Sequence, residues 1–193
     1  MSSAPVSLGS SDGYESNGDE VQLINALYEL RDTELSFYND IKFILDEVVP
    51  TIHHDIDLLF SGLHEIMELS QSLYYQFVDI AAMEDRYLQC QTLSAVFLEE
   101  MVDLRAVYAP YCSRQTEASV KAGQINNATT DVIISTARRE GRTKAFNLNS
   151  LLIKPVQRVT KYPLLLQQVT PPIEGASDLR EILHQFSLKQ NFS

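Results

Sequence analysis

The chain has 193 residues, 45% of them hydrophobic, which suffices for one domain with a sizeable core and is short for two. Its 26 acidic side chains outnumber 15 basic ones for a formal net charge of -11, which argues against a nucleic-acid binder, because phosphate backbones are held by clustered Lys and Arg. Two cysteines, Cys90 and Cys112, are too few for a disulfide scaffold. The sequence also lacks an apolar run of membrane-spanning length, a secretory signal and a lipidation motif, so a soluble, cytoplasmic domain is expected.

Residues 1–20 contain six serines and three glycines with hardly an apolar anchor, and they predict a disordered tail. Tyr14 in this tail has a kinase-like acidic context, but an inert tyrosine is the plainer reading. From Val21 the pattern changes. At about 100° per residue, Leu23, Leu27, Leu30, Phe37, Ile41, Ile44 and Val48 share one side and Asn25, Glu29, Asp32, Ser36 and Glu47 the other, predicting a long amphipathic helix ended by Pro50. Glu34 breaks this pattern. It projects to the middle of the apolar face, where a carboxylate is costly unless it meets a partner. Two readings stay open at this point: an internal salt bridge, for instance to Arg31, or a contact at a surface reserved for another molecule.

A second helix is predicted over about 58–80 and a third over about 92–109, stopped by Pro110. A more polar helix over roughly 114–139 is closed by Gly141, and no window alternates as a strand would. The expected fold is therefore all-α, an elongated helical bundle occupying residues 21–193 behind the tail. Charge is segregated along it. Residues 1–100 hold 19 acidic and 3 basic side chains, a net of -16, whereas 101–193 hold 12 basic and 7 acidic, a net of +5. Residues 138–161 contain Arg138, Arg139, Arg142, Lys144, Lys154, Arg158 and Lys161 against Glu140 alone, either a solvated loop or a docking surface for an acidic partner.

Covalent chemistry is not written in this sequence. The stretch from His64 to Glu68 begins like a zinc-protease helix but has Glu where the second His ligand belongs. His53 and His54 are adjacent and diverge on a helix. Phosphate loops and nucleophile elbows are missing, and Cys112 lacks a nearby histidine. Neither a metal nor a cofactor is implied.

The informative segment is 148–169, LNSLLIKPVQRVTKYPLLLQQV. Pro155 suits a first helical turn, and Lys154, Arg158 and Lys161 then lie on one face with Gln157 beside them. Pro163 is expected to kink the helix, and Leu164, Leu165 and Leu166, apolar all round, to lie deep in the bundle. The run LLIKPVQRVTKYPLLLQ resembles the third conserved region of the Dbl homology domain, the exchange-factor module for Rho-family GTPases. LYELRDTELSFY, residues 27–38, is similar to the first conserved region, and LLFSGLHEI, residues 58–66, is similar to the second helix. The stretch from Val96 to Cys112 resembles the middle region, so the likeness covers roughly 21–185.

The resemblance implies a guanine nucleotide exchange factor that acts on a GTPase without bond-making. Its partner would be a nucleotide-free or GDP-bound Rho-family small GTPase. In the family a glutamate of the first region contacts switch I, matched here to Glu34, and the lysine of the Lys-Tyr-Pro run contacts switch II, matched to Lys161. Gln157 is a plausible neighbour of that contact. After Pro171, Pro172 and Gly175 only 17 residues remain from Ser177 for a family-like final helix. The chain thus reads as C-terminally incomplete, with Asn191 too early to match the family's polar contact residue. The alternative function is a non-catalytic helical module that docks a GTPase or scaffold.

Overall fold

The computed structural model describes residues 15–125 and 127–169, with side chains described for 24–125 and 127–166. The first amphipathic pattern forms helix α1 (Glu15–Phe43). It takes in the last six residues of the predicted tail. Residues 1–14 lie outside the described residues. Leu27, Leu30 and Ile41 from the apolar stripe are buried, as are Ile44 and Val48 in the π-helical turn Ile44–Val48 that follows. The turn passes into a 3-10 turn at Val49–Thr51, with Pro50 at its start, so the helix ends where proline was expected to end it.

The predicted second helix is two pieces, α2 (Ile56–Phe60) and α3 (Leu63–Ala81). Gly62 separates them at φ +83°, a left-handed conformation that a β-carbon disfavours. The largest departure is α4 (Arg86–Gln124), 39 residues and about 58 Å long, which runs straight through Pro110. Pro110 is exposed, whereas Leu104, Tyr108, Tyr111, Ala118 and Ala122 on the opposite side are buried. Tyr111 also donates to the Leu152 carbonyl at 2.8 Å. Packing on both sides of the proline therefore outweighs the single lost amide bond.

The helix ends instead before Asn127, which caps α5 (Ala128–Arg139) by accepting from Thr129 and Thr130 amides and donates to the Thr51 carbonyl at 2.7 Å. Gly141 closes α5 as the sequence predicts: at φ +74° it lets Arg142 N–H reach the Ala137 carbonyl at 2.9 Å and its own N–H the Arg138 carbonyl at 3.1 Å. Two helices follow, α6 (Leu148–Leu152), opened by a capping box between Asn147 and Ser150, and α7 (Lys154–Val169).

The fold is all-α, with no strand among the described residues. Four long helices close a ring in which α1 packs on α3 and α7, and α4 packs on the other sides of both. Phe77 of α3 stacks on Phe97 of α4, which meets Tyr162 of α7 edge-on at 5.4 Å between ring centroids. Pro163 lies within α7, where Leu165 and Leu166 are buried but Leu164 is 60% exposed, so the leucine run is not apolar-covered all round. The expected last helix, from Ser177, lies outside the described residues.

Candidate functional site

α7 runs antiparallel to α1 and is pinned to it by one buried cluster. Arg158 donates from Nε to the Glu34 carboxylate at 2.9 Å and from Nη2 at 2.5 Å, and it also reaches Thr33 Oγ1 and the Leu30 carbonyl. Tyr162 donates to the same Glu34 oxygen at 2.9 Å, and Ser70 of α3 donates to the other at 2.5 Å. Arg158 also lies over the Tyr162 ring. Burial pulls the guanidinium downward, but Tyr162 and Glu34 outweigh it and hold Arg158 above its ordinary value. Burial first, and then the Glu34 charge, push the Tyr162 phenol far upward. The carboxylate is fully satisfied: Glu34 of α1 spends one oxygen on Arg158 and Tyr162 of α7 and the other on Ser70 of α3.

This corrects the assignment of Glu34. Its exposure is 0%, and its carboxylate already receives four hydrogen bonds, so it is not available to a partner molecule. The internal salt bridge is the reading that holds, with Arg158 and not Arg31 as the partner. Arg31 instead pairs with Asp32 and lies over Tyr28. The other two matched residues, Gln157 and Lys161, are exposed on α7, and Lys161 has no ion-pair partner among the described residues.

The exposed glutamate of the same conserved stretch is Glu29; Asp32, also exposed, is paired with Arg31. Asp40 pairs with Lys154 at 2.5 Å, and Glu34 with Arg158, so the next turn of α7, at Lys161, passes the level of Glu29. Glu29 lies one turn before Thr33, on the flank of α1 turned away from α3. Gln157 and Lys161 lie on the flank of α7 turned away from Tyr162 and α4. By this register and helical geometry both flanks lie on the same side of the groove between α1 and α7, with the exposed Glu29 on one helix and the exposed Gln157 and Lys161 on the other. Sequence reasoning placed Glu29 on the polar face and stopped there. The usable signal was its angle, about 140° from Glu34 at about 100° per residue, which sets it beside the packed stripe and not within it.

The basic stretch 138–161 divides in the structure. Lys154 and Arg158 pair into α1, and Arg142 bridges Glu47 and Glu140, which leaves Arg138, Arg139, Lys144 and Lys161 outward. Burial raises the thiols of Cys90 and Cys112, the opposite of what a nucleophile needs. No group of His, Cys, Asp and Glu suited to a metal occurs among the described residues, and no helix there is long and apolar enough to cross a membrane.

A family model for the RhoGEF domain matches residues 26–187. Among curated proteins the chain is 31% identical over 162 residues to Rho guanine nucleotide exchange factor 38 of Mus musculus, covering 75% of this chain and 21% of that protein. It is 28% identical over 154 residues to Rho guanine nucleotide exchange factor 37 of Rattus norvegicus, covering 75% of this chain and 22% of that one. The chain thus spans about a fifth of the length of these relatives. A structure of the Vav1 exchange factor superposes with a TM-score of 0.69 at 24% identity, over 88% of this chain and 47% of that one. The DH/PH domains of p115-RhoGEF give 0.66 at 22% identity, over 89% and 56%. These two likenesses speak for the helical bundle, and the family match, which takes in both α1 and α7, speaks for its descent: the chain belongs to the RhoGEF domain family.

Proposed function

We propose that this chain promotes guanine nucleotide exchange on a Rho-family small GTPase through the α1–α7 groove, with Glu29, Gln157 and Lys161 as the residues that meet it. Family membership supports the activity, and one observation carries the choice of residues. Of the two glutamates in the conserved stretch of α1, Glu34 is wholly buried on Arg158, whereas Glu29 is exposed, as Lys161 is on α7. Glu29 thereby takes the switch-contacting role that the sequence matched to Glu34.

The mechanism needs no covalent step. A face that binds the nucleotide-free GTPase more tightly than the GDP-bound form lowers the affinity for GDP by the same factor, because the coupling is reciprocal. A rigid face serves this best, since it is the GTPase switches that must rearrange. The buried Glu34–Arg158–Tyr162 cluster supplies that rigidity by fixing the register of the two helices that carry the contacts.

Release of a fluorescent GDP analogue from a panel of Rho-family GTPases, run beside a pull-down on the nucleotide-free forms, tests this reading. Accelerated release from at least one GTPase is expected. Capture without release would replace the exchange reading with that of a binding module, and the absence of both capture and release would overturn the proposal altogether.

A further inference from the structure

The corner where α5 leads into α6 gathers side chains that the exchange reading leaves unused. Arg138, Arg139 and Lys144 are exposed there and have no carboxylate partner among the described residues. Phe146, between Lys144 and the start of α6, is 77% exposed, more than any other large hydrophobic side chain described. Arg138 lies over its ring, 4.7 Å from the centroid.

This exposure is built into the fold. The Gly141 turn fixes the chain reversal, and Arg142 ties it to Glu47. Thr143 and Ala145 are buried, with Thr143 donating to Asp40 at 3.0 Å and accepting from the Ala145 amide. Phe146 N–H donates to Ser150 Oγ at 2.8 Å. The backbone on both sides of the ring is therefore anchored while the ring itself points outward. A slack loop would fold such a ring back onto the nearest apolar surface.

We infer that this corner docks on an anionic membrane surface, with Arg138, Arg139 and Lys144 among the lipid headgroups and the Phe146 ring at the interface beneath them. The charge fits: these cations have no carboxylate partner among the described residues, on a chain of net charge -11 whose acidic groups are concentrated in residues 1–100. The shape fits as well. An isolated protruding ring flanked by cations needs apolar depth directly under a layer of negative charge, which a bilayer offers and an acidic peptide does not. Each cation near such a surface strengthens partitioning by about fivefold, so the docking is weak, reversible and sensitive to salt.

The test is sedimentation of the full chain with phosphatidylcholine vesicles that contain or lack phosphatidylserine, with each variant's fold checked by circular dichroism and melting. Binding is expected only with phosphatidylserine, and it is expected to fall as salt rises. The double variant Arg139→Glu, Lys144→Glu is expected to bind about a hundredfold more weakly or worse, and Phe146→Ser several-fold more weakly with the salt dependence kept. Arg105→Glu, an exposed cation on α4, serves as the control and is expected to bind as the parent does. Absence of phosphatidylserine-dependent binding would overturn the inference, as would an equal loss in the control. So would binding to polyglutamate that matches vesicle binding and ignores Phe146→Ser, which would assign the corner to an acidic protein.

Discussion

The guanidinium of Arg158 is buried among the Leu30 carbonyl, Thr33, Glu34 and Tyr162, and its charge is tolerable there only because Glu34 opposes it. Glu34→Ala removes the carboxylate and leaves a buried cation, with Tyr162 and Ser70 hydroxyls lacking their acceptor. A loss of about 3–5 kcal/mol is expected, a large part of the stability of an ordinary domain, and urea or thermal unfolding reads it directly. Glu29→Ala and Lys161→Ala change exposed side chains and are expected to leave stability within about 0.5 kcal/mol. If each pairs with a GTPase group, its loss weakens binding to the nucleotide-free GTPase by about 30-fold or more, measurable by titration. The sequence allowed half of this to be read. A carboxylate amid Leu27, Leu30 and Ile41 signals by itself that something must meet it, but its partner lies 124 residues away, and only the packing of α7 on α1 brings Arg158 into reach. A resemblance that offers two glutamates in one helix does not choose between them, whereas burial does.

At the scale of the element, the signals that were legible were those carried by short-range geometry. Gly141 lies just past the periodic stretch of α5 and adopts the left-handed conformation that closes it. A β-carbon at Gly141 would meet nothing within 4 Å, so the cost of Gly141→Ala is conformational alone. A destabilisation of about 1–2 kcal/mol is expected, and a smaller one for Gly141→Asn, both read from denaturant midpoints. The proline signal worked at Pro50 and failed at Pro110 for a physical reason. Pro50 coincides with the end of the buried stripe, whereas Tyr108 and Tyr111 on either side of Pro110 are both anchored in the core. The break between α4 and α5 was instead announced by Asn127, whose side chain caps the next helix. An asparagine directly before Ala128, Thr129 and Thr130 reads as a cap, and it marks the boundary.

Across the whole molecule, three tyrosines on α4 and α7 are buried and held protonated. Tyr108, Tyr111 and Tyr162 are each raised above the ordinary value of 10.0, burial being the largest cause in every case. In the unfolded chain these phenols ionise near that value, and in the fold only well above it. The folded state thus binds more protons once pH passes about 10, and stability, complete below that point, falls as pH rises further. Alkaline titration followed at the phenolate absorbance is expected to show the exposed tyrosines ionising first and these three only together with the loss of helical circular dichroism. Ionisation of all tyrosines before any unfolding would contradict their burial. The all-helical class and the family were legible because helical periodicity and the 148–169 motif are local. The four-helix ring was not, because it depends on contacts between segments far apart in the chain.

The most direct test of the α1–α7 groove is the rate of GDP release from a responsive Rho-family GTPase, measured for the parent chain, Glu29→Ala, Lys161→Ala and Glu34→Ala, each with its melting temperature. The expected result is that Glu29→Ala and Lys161→Ala lose acceleration at an unchanged melting temperature, while Glu34→Ala loses it only in proportion to its unfolding. Full acceleration by both Glu29→Ala and Lys161→Ala would contradict the account, as would a Glu34→Ala variant that melts like the parent yet no longer exchanges.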